Sequence, residues 1–326
     1  MNSLSRLYQE LTPTELEEAS RRYLGEGLLE ARLLSGGLFN TTYRLTTTNR
    51  DAILRLGPVN RHLLLPYEHH LMEAEAGILE LLHRHGIPTS RMIALDVRRE
   101  FLDRDVMVVE CLPAVSMSTV SLAKEQEVRI CREVGAFARE LHRITADELP
   151  RKFDKPFGRY AAVLGGYGGA TWSEALIQEL HLWMSKARPT ALFTPEEFDR
   201  IDRCFCRFRP LFDQIRQPRL AHADLWQGNV LVDAHGQLSA IIDTDRAFFG
   251  DPEYDLAMDW LPKDSFLEGY GTIPDPGRDA VLRRKLYKFL LDLEDCYIYI
   301  IQYSNPKASQ DLKEKILTQL AELESI

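Results

Sequence analysis

The chain has 326 residues, 45% hydrophobic and 27% charged, with 19 glycines and 16 prolines, which is a globular rather than a disordered or collagen-like composition. Its formal net charge of −9 gives no general attraction for a nucleic-acid backbone, so no nucleic-acid partner is expected. No apolar run approaches the roughly 18 residues that cross a bilayer. Residues Met1 to Glu10 hold no apolar signal core, and Cys111, Cys131, Cys204, Cys206 and Cys296 form no CxxC pair. A cytoplasmic setting with no membrane partner is the expectation.

The first predicted element is a helix, opened by the capping-box string Thr12-Pro13-Thr14-Glu15 and carrying Leu16, Ala19, Tyr23 and Leu24 as an apolar stripe. From Leu28 the period changes. Glu30 to Leu34, Thr42 to Thr46 and Ala52 to Leu56 read as short strands, the first two joined by Ser35-Gly36-Gly37-Leu38-Phe39-Asn40. Tyr67 to His85 reads as a helix stopped by Gly86-Ile87-Pro88, followed by strands near Met92 to Leu95 and Asp105 to Glu110. After the joint Cys111-Leu112-Pro113-Ala114 the chain turns mainly helical: Ser121 to Ile144, two helices opened by capping boxes at Thr171 and Thr194, and an almost wholly apolar helix from Val281 to Tyr303. One hairpin, Asn229 to Val232 and Leu238 to Asp243, interrupts these helices.

Polar residues flank that hairpin: His222-Ala223-Asp224-Leu225-Trp226-Gln227-Gly228-Asn229 before it, Asp243-Thr244-Asp245 and Gly250-Asp251-Pro252-Glu253-Tyr254-Asp255-Leu256-Ala257 after it. Two acids and an amide gathered by one hairpin can hold a divalent cation through oxygen. His-x-Asp, with Asn five residues after the Asp and a second acid at the end of the next hairpin, is the spacing of kinase-type phosphoryl transfer. That chemistry needs a metal to neutralise phosphate oxygens and a carboxylate to orient and deprotonate the acceptor hydroxyl.

On these residues the chain resembles the aminoglycoside phosphotransferase and choline kinase family, most closely from His222 to Ala257. Similar pieces extend over most of the chain: Ser35 to Asn40 as a nucleotide loop, Ile53 to Leu56 as a third strand, Val108-Val109-Glu110 as a hinge strand, Leu141-His142, and Phe266 to Gly271. The stretch around Trp226 is locally similar to the fructosamine kinase loop. The resemblance implies an α+β, protein-kinase-like bilobal fold, with an antiparallel-sheet lobe over 1–110 and a larger helical lobe over 111–326. It implies transfer of the γ-phosphoryl of ATP or GTP to a hydroxyl of a small molecule, with Mg²⁺. Asp224 would be the base, and Asn229 and Asp243 the metal ligands. Arg55 would contact phosphates, positioned by Glu75 in preference to Glu73; Gly36 and Gly37 would lie in the nucleotide loop; backbone groups of Glu110 and Leu112 would meet the base; Asp255 would brace the catalytic loop. Arg55 stands where the kinase template has lysine, so a forked guanidinium replaces a point charge.

Rival readings remain at this stage. Asp243-Thr244-Asp245 at a strand end resembles the nucleophile motif of haloacid-dehalogenase-like phosphatases, and a kinase-like fold can bind nucleotide without catalysis. Arg200, Arg203, Arg207 and Arg209, interleaved with Phe205 and Phe208, read as the solvated face of a helix. Cys204-x-Cys206 is a poor zinc spacing. Asp292, Glu294 and Asp295 either face an acceptor pocket and favour an amine-bearing substrate, or pair on the surface, for example Lys288 with Asp292.

Overall fold

The computed structural model describes residues 5–34, 39–258 and 261–326. The loop residues Gly36 and Gly37 therefore lie outside the described residues.

Helix α1 (Pro13–Leu24) starts on a complete capping box, with Thr12 accepting from the Glu15 amide and the Glu15 carboxylate accepting from the Thr12 amide. Strands β1 (Glu30–Leu33), β2 (Thr41–Thr46) and β3 (Asp51–Leu56) follow, then helix α2 (Leu71–Arg84), β4 (Met92–Asp96) and β5 (Val106–Glu110). They form one antiparallel sheet in the order β1-β2-β3-β5-β4. In β3 the alternation is strict. Ala52, Leu54 and Leu56 are buried on one face against α1 and Val106 and Val108, while Ile53 shares the other face with the α2 side chains Met72, Ala76 and Leu79. Arg55 is in phase with Ile53, so the period of two delivers its guanidinium to the α2 side.

The rest is mainly helical: β6 (Val115–Ser116), α3 (Lys124–Leu141), β7 (Gly158–Arg159), α4 (Tyr160–Leu164), α5 (Trp172–Ala187), α6 (Pro195–Arg207) and α7 (Arg209–Phe212). Then come β8 (Arg219–Ala221), β9 (Val230–Val232), β10 (Leu238–Ile241), β11 (Phe248–Gly250), α8 (Glu253–Ala257), α9 (Lys263–Tyr270), α10 (Arg278–Tyr297) and α11 (Pro306–Glu324). The hairpin β9–β10 is antiparallel and carries β6 on its other edge; β7, β11 and β8 make a second small antiparallel sheet. Among the described residues the strand before Asp243 has no parallel neighbour, which removes the parallel sheet that the phosphatase reading requires.

Three sequence expectations shift. The helix expected over 67–85 starts at Leu71, because Pro66–Glu68 forms a separate short turn in which Glu68 folds back onto the Leu65 amide. At Thr171 the capping box is incomplete: Thr171 accepts from the Glu174 amide, but the Glu174 carboxylate takes the Ala170 amide instead. The helix expected to reach Tyr303 stops at Tyr297 and continues as a wide π-turn, Ile298–Gln302. There Gln302 turns inward to donate to Glu68 at 2.7 Å.

Candidate active site

The segment before β9 is fixed by one buried acid. Asp255, near the end of α8, accepts from the His222 amide and the Ala223 amide at 2.8 Å each, and lies 3.0 Å from His142 Nε2. His142 Nδ1 in turn meets the Tyr270 hydroxyl at 2.9 Å. Burial alone would raise the Asp255 pKa; the His142 hydrogen bond, the two histidines and the backbone donors outweigh it and hold the carboxyl below its ordinary value. Two residues flanking the hairpin have left-handed backbones without being glycine, Ala223 at φ 66° and Asp243 at φ 68°. Such conformations persist where the surroundings over-determine them, and they collect at functional sites.

Asp224 follows Ala223 directly. Its carboxylate accepts from the Asn229 side-chain amide at 2.9 Å, and the same nitrogen bonds the Asp224 carbonyl at 2.8 Å. With that nitrogen committed, Asn229 keeps its side-chain oxygen for a cation. Burial raises the Asp224 pKa; Asp243 adds to this and Arg246 opposes it, so the two acids lie within electrostatic reach.

Across from them, the Arg55 fork spans two partners. One nitrogen bonds the Glu75 carboxylate; the other lies 2.6 Å from Asp243 and 3.8 Å from Asp245. Glu73 is turned to His70 instead. Burial pulls the Arg55 pKa down, but Glu75, Asp243 and Asp245 together hold it above its usual value. Burial and Asp243 push the pKa of both Glu75 and Asp245 up, against Arg55. Carboxylate oxygens of Glu75, Asp243 and Asp245 all fall within 4.8 Å of one another. Three acids around one guanidinium leave the cluster short of positive charge, and its hard oxygen donors suit Mg²⁺.

At the hinge, the Glu110 amide is occupied by the Arg91 carbonyl, and the Leu112 carbonyl accepts from Ala114 at 2.8 Å. Among the described residues the Leu112 amide donates to nothing, which leaves it open to a ligand acceptor. The structure thus brings Arg55, Glu75 and Asp243 together and joins Asn229 to Asp224.

Sequence reasoning missed the parts that carry no local signature. Asp245 stands among the residues flanking the hairpin but takes a role only in the phosphatase reading, yet it belongs to the acid cluster. Arg246 was passed over; it bonds Glu294 at 2.7 Å, and Glu294 bonds Arg159 at 2.6 Å. The α10 acids divide three ways. Glu294 is buried in that arginine pair, and Asp292 pairs with Lys315 at 2.7 Å and Gln319 at 2.9 Å of α11. Asp295, among the described residues, has no hydrogen-bond or ion-pair partner; burial, then Glu294, push its pKa up to about 7, and Asp224 is among the charges that it feels.

The sequence model of the phosphotransferase enzyme family matches residues 30–283. A homoserine kinase of Methylobacillus flagellatus is 26% identical over 247 residues, covering 73% of this chain. The match spans 65% of the length of that relative. Among solved structures, a thermostable mutant of aminoglycoside phosphotransferase APH(4)-Ia with AMP-PNP and hygromycin B superimposes with a TM-score of 0.64 at 16% identity, covering 94% of this chain and 97% of that one. A putative fructosamine-3-kinase from Haemophilus somnus gives 0.64 at 15% identity, with 93% and 96% covered. The ternary complex of APH(2")-IIa with streptomycin and ATP gives 0.61 at 14% identity, with 96% and 97% covered. At such identities the likeness establishes a kinase-like α+β fold. No helix among the described residues is long and apolar enough to cross a membrane. With its family model matched over most of its length, this chain belongs to the phosphotransferase enzyme family.

Proposed function

We propose that the protein transfers the γ-phosphoryl group of ATP or GTP to a hydroxyl of an amine-bearing small molecule. The observation that carries this reading is the pairing of Asp224 with Asn229 beside the Arg55–Asp243 ion pair, all on the hairpin and sheet elements where the family signature falls. A non-catalytic binding protein needs no such intact set of acids.

Asp224 accepts the acceptor's proton, and its raised pKa makes it a better base than an exposed aspartate. Asn229 orients it. Asn229 and Asp243 would hold Mg²⁺, with Asp245 beside Asp243, and such an ion would supply positive charge to the phosphate oxygens. Arg55 leaves Asp243 to grip phosphate while Glu75 keeps its fork in place, and Leu112 meets the nucleotide base along with Glu110. The nucleotide sits between lobes that divide near 110/111. Most of the catalytic effect is positioning and electrostatics rather than covalent chemistry.

The amine follows from two supports. Homoserine, fructosamines, hygromycin B and streptomycin, named with the relatives and fold neighbours, all carry an amine beside hydroxyls. Asp295 supplies an unpaired acid that feels the Asp224 charge. The test is acceptor-dependent formation of ADP or GDP across a panel of such amino alcohols and amino sugars, with their des-amino analogues alongside. Turnover with the amines and not with the analogues is expected. Equal turnover with both removes the amine, and nucleotide-dependent turnover with no member of any hydroxyl panel removes the transfer.

A further inference from the structure

A second group of metal-ligating side chains lies away from the phosphate chemistry, on the outer face of α5 and α6. His181 of α5 and Asp202 of α6 share a 2.8 Å hydrogen bond between Nε2 and Oδ1. Cys206, one helical turn beyond Asp202, sends its thiol to the same Oδ1 at 3.4 Å. The three donor atoms all lie within 4.8 Å of one another. One imidazole nitrogen, one carboxylate oxygen and one sulfur form a mixed donor set that suits zinc, whereas Mg²⁺ takes oxygen alone.

The two helices that carry these donors are held together away from the cluster. The inner faces of α5 and α6 are locked through Trp183 against Phe198, with ring centroids 5.8 Å apart, and through buried Ile201 and Phe205. The outer side chains therefore project from a rigid pair of helices, and little ordering remains when an ion arrives. The helix also separates the two cysteines of the C-x-C string. Cys204 is turned into the core and only Cys206 reaches the cluster. A sequence reading that looks for two thiolates consequently overlooks a site that uses one. His181 remains 53% and Asp202 40% exposed, so the remaining coordination positions open to water.

We infer that His181, Asp202 and Cys206 form a zinc site that staples α5 to α6, independent of the phosphate-transfer residues. Binding forms a Zn–S bond and breaks the S–H bond. The thiol proton goes to solvent and the imidazole binds in its neutral form.

The test is a Co²⁺ titration of the full chain under a thiol-free reductant, followed by competition with Zn²⁺ or Mg²⁺. A sulfur-to-cobalt charge-transfer band that saturates at a single equivalent, is erased by Zn²⁺ and is untouched by Mg²⁺ is expected. Cobalt held by Glu75, Asp243 and Asp245 has only oxygen ligands and gives no such band. Cys206→Ser abolishes the band, His181→Ala and Asp202→Asn weaken Co²⁺ binding by at least about tenfold, and zinc addition to wild type in weak buffer releases a proton that Cys206→Ser does not. Far-ultraviolet circular dichroism confirms that each variant is folded. Absence of a sulfur band in the wild-type protein, or a band unchanged in Cys206→Ser or at unchanged affinity in His181→Ala, overturns the proposal.

Discussion

Asp255 fixes the backbone of the loop that precedes β9. Its carboxylate receives two backbone amides and His142 with its side chain fully enclosed. Asp255→Ala leaves these donors without partners and is expected to cost about 3 kcal/mol or more in urea unfolding. It also frees Ala223 to leave its left-handed backbone. The sign of the pH dependence follows from the depressed carboxyl. The stability that Asp255 contributes is complete above about pH 4, the ordinary carboxylate value, and is lost as pH falls through the lower folded value. Asp295 behaves oppositely. Its folded pKa of about 7 lies above the unfolded one, so its ionisation destabilises the fold as pH rises from about 4 to 7. Asp295→Asn is therefore expected to unfold at a higher temperature than wild type at pH 8 and at the same temperature below pH 4. If Asp295 meets the acceptor amine, the same variant raises KM for the acceptor and leaves the KM for nucleotide unchanged. A pH-independent difference in unfolding, or an unchanged acceptor KM, removes the corresponding role.

At the scale of elements, the crossing of α3 and α9 holds this loop in register. A Cβ at Gly135 would lie 2.0 Å from the Phe266 carbonyl oxygen, and one at Gly269 only 1.7 Å from that of Arg132. Both contacts are with backbone, so neither can be relieved by turning a side chain. Tyr270 at the end of α9 carries the His142–Asp255 chain of hydrogen bonds, which links this packing to Asp224. Gly135→Ala and Gly269→Ala are each expected to destabilise by at least about 2 kcal/mol, through forced separation of the helices. They should lower kcat more than nucleotide affinity; an equal fall in both would show that the helix crossing does not act through the loop. Elements with a local signal of their own were the most legible in the sequence. The caps at Thr12 and Thr194 and the alternation in β3 are local signals, and they appear where the sequence puts them. Strands β7, β8 and β11 have only two or three residues each, too few for any period to show, and their pairing is fixed by long-range contact.

For the whole molecule, legibility followed the same division between local and distant. The run from His222 to Ala257 is a single signature along the chain, and its family and kinase-like fold could be read from it. The charge network could not. Arg246, Glu294 and Arg159 meet from three separate regions, and only folding puts Asp295 within electrostatic reach of Asp224. The nucleotide site proposed above would, if present, appear as global stabilisation. At 100 times its dissociation constant, Mg²⁺–ATP or Mg²⁺–GTP is expected to add about 2.7 kcal/mol, which moves the unfolding midpoint by several degrees relative to Mg²⁺ alone. At equal concentrations, the nucleotide that gives the larger shift is the tighter ligand. No shift with either at millimolar concentration contradicts a nucleotide site formed by Arg55 and the Leu112 hinge.

If Asp224 takes the proton of an acceptor hydroxyl while other residues bind the nucleotide, one substitution separates transfer from binding. The most direct measurement compares Asp224→Ala with wild type in acceptor-dependent phosphoryl transfer and, on the same samples, in nucleotide affinity. Near-unchanged nucleotide affinity and a loss of transfer of at least about a hundredfold are expected. Transfer near the wild-type rate would contradict that role.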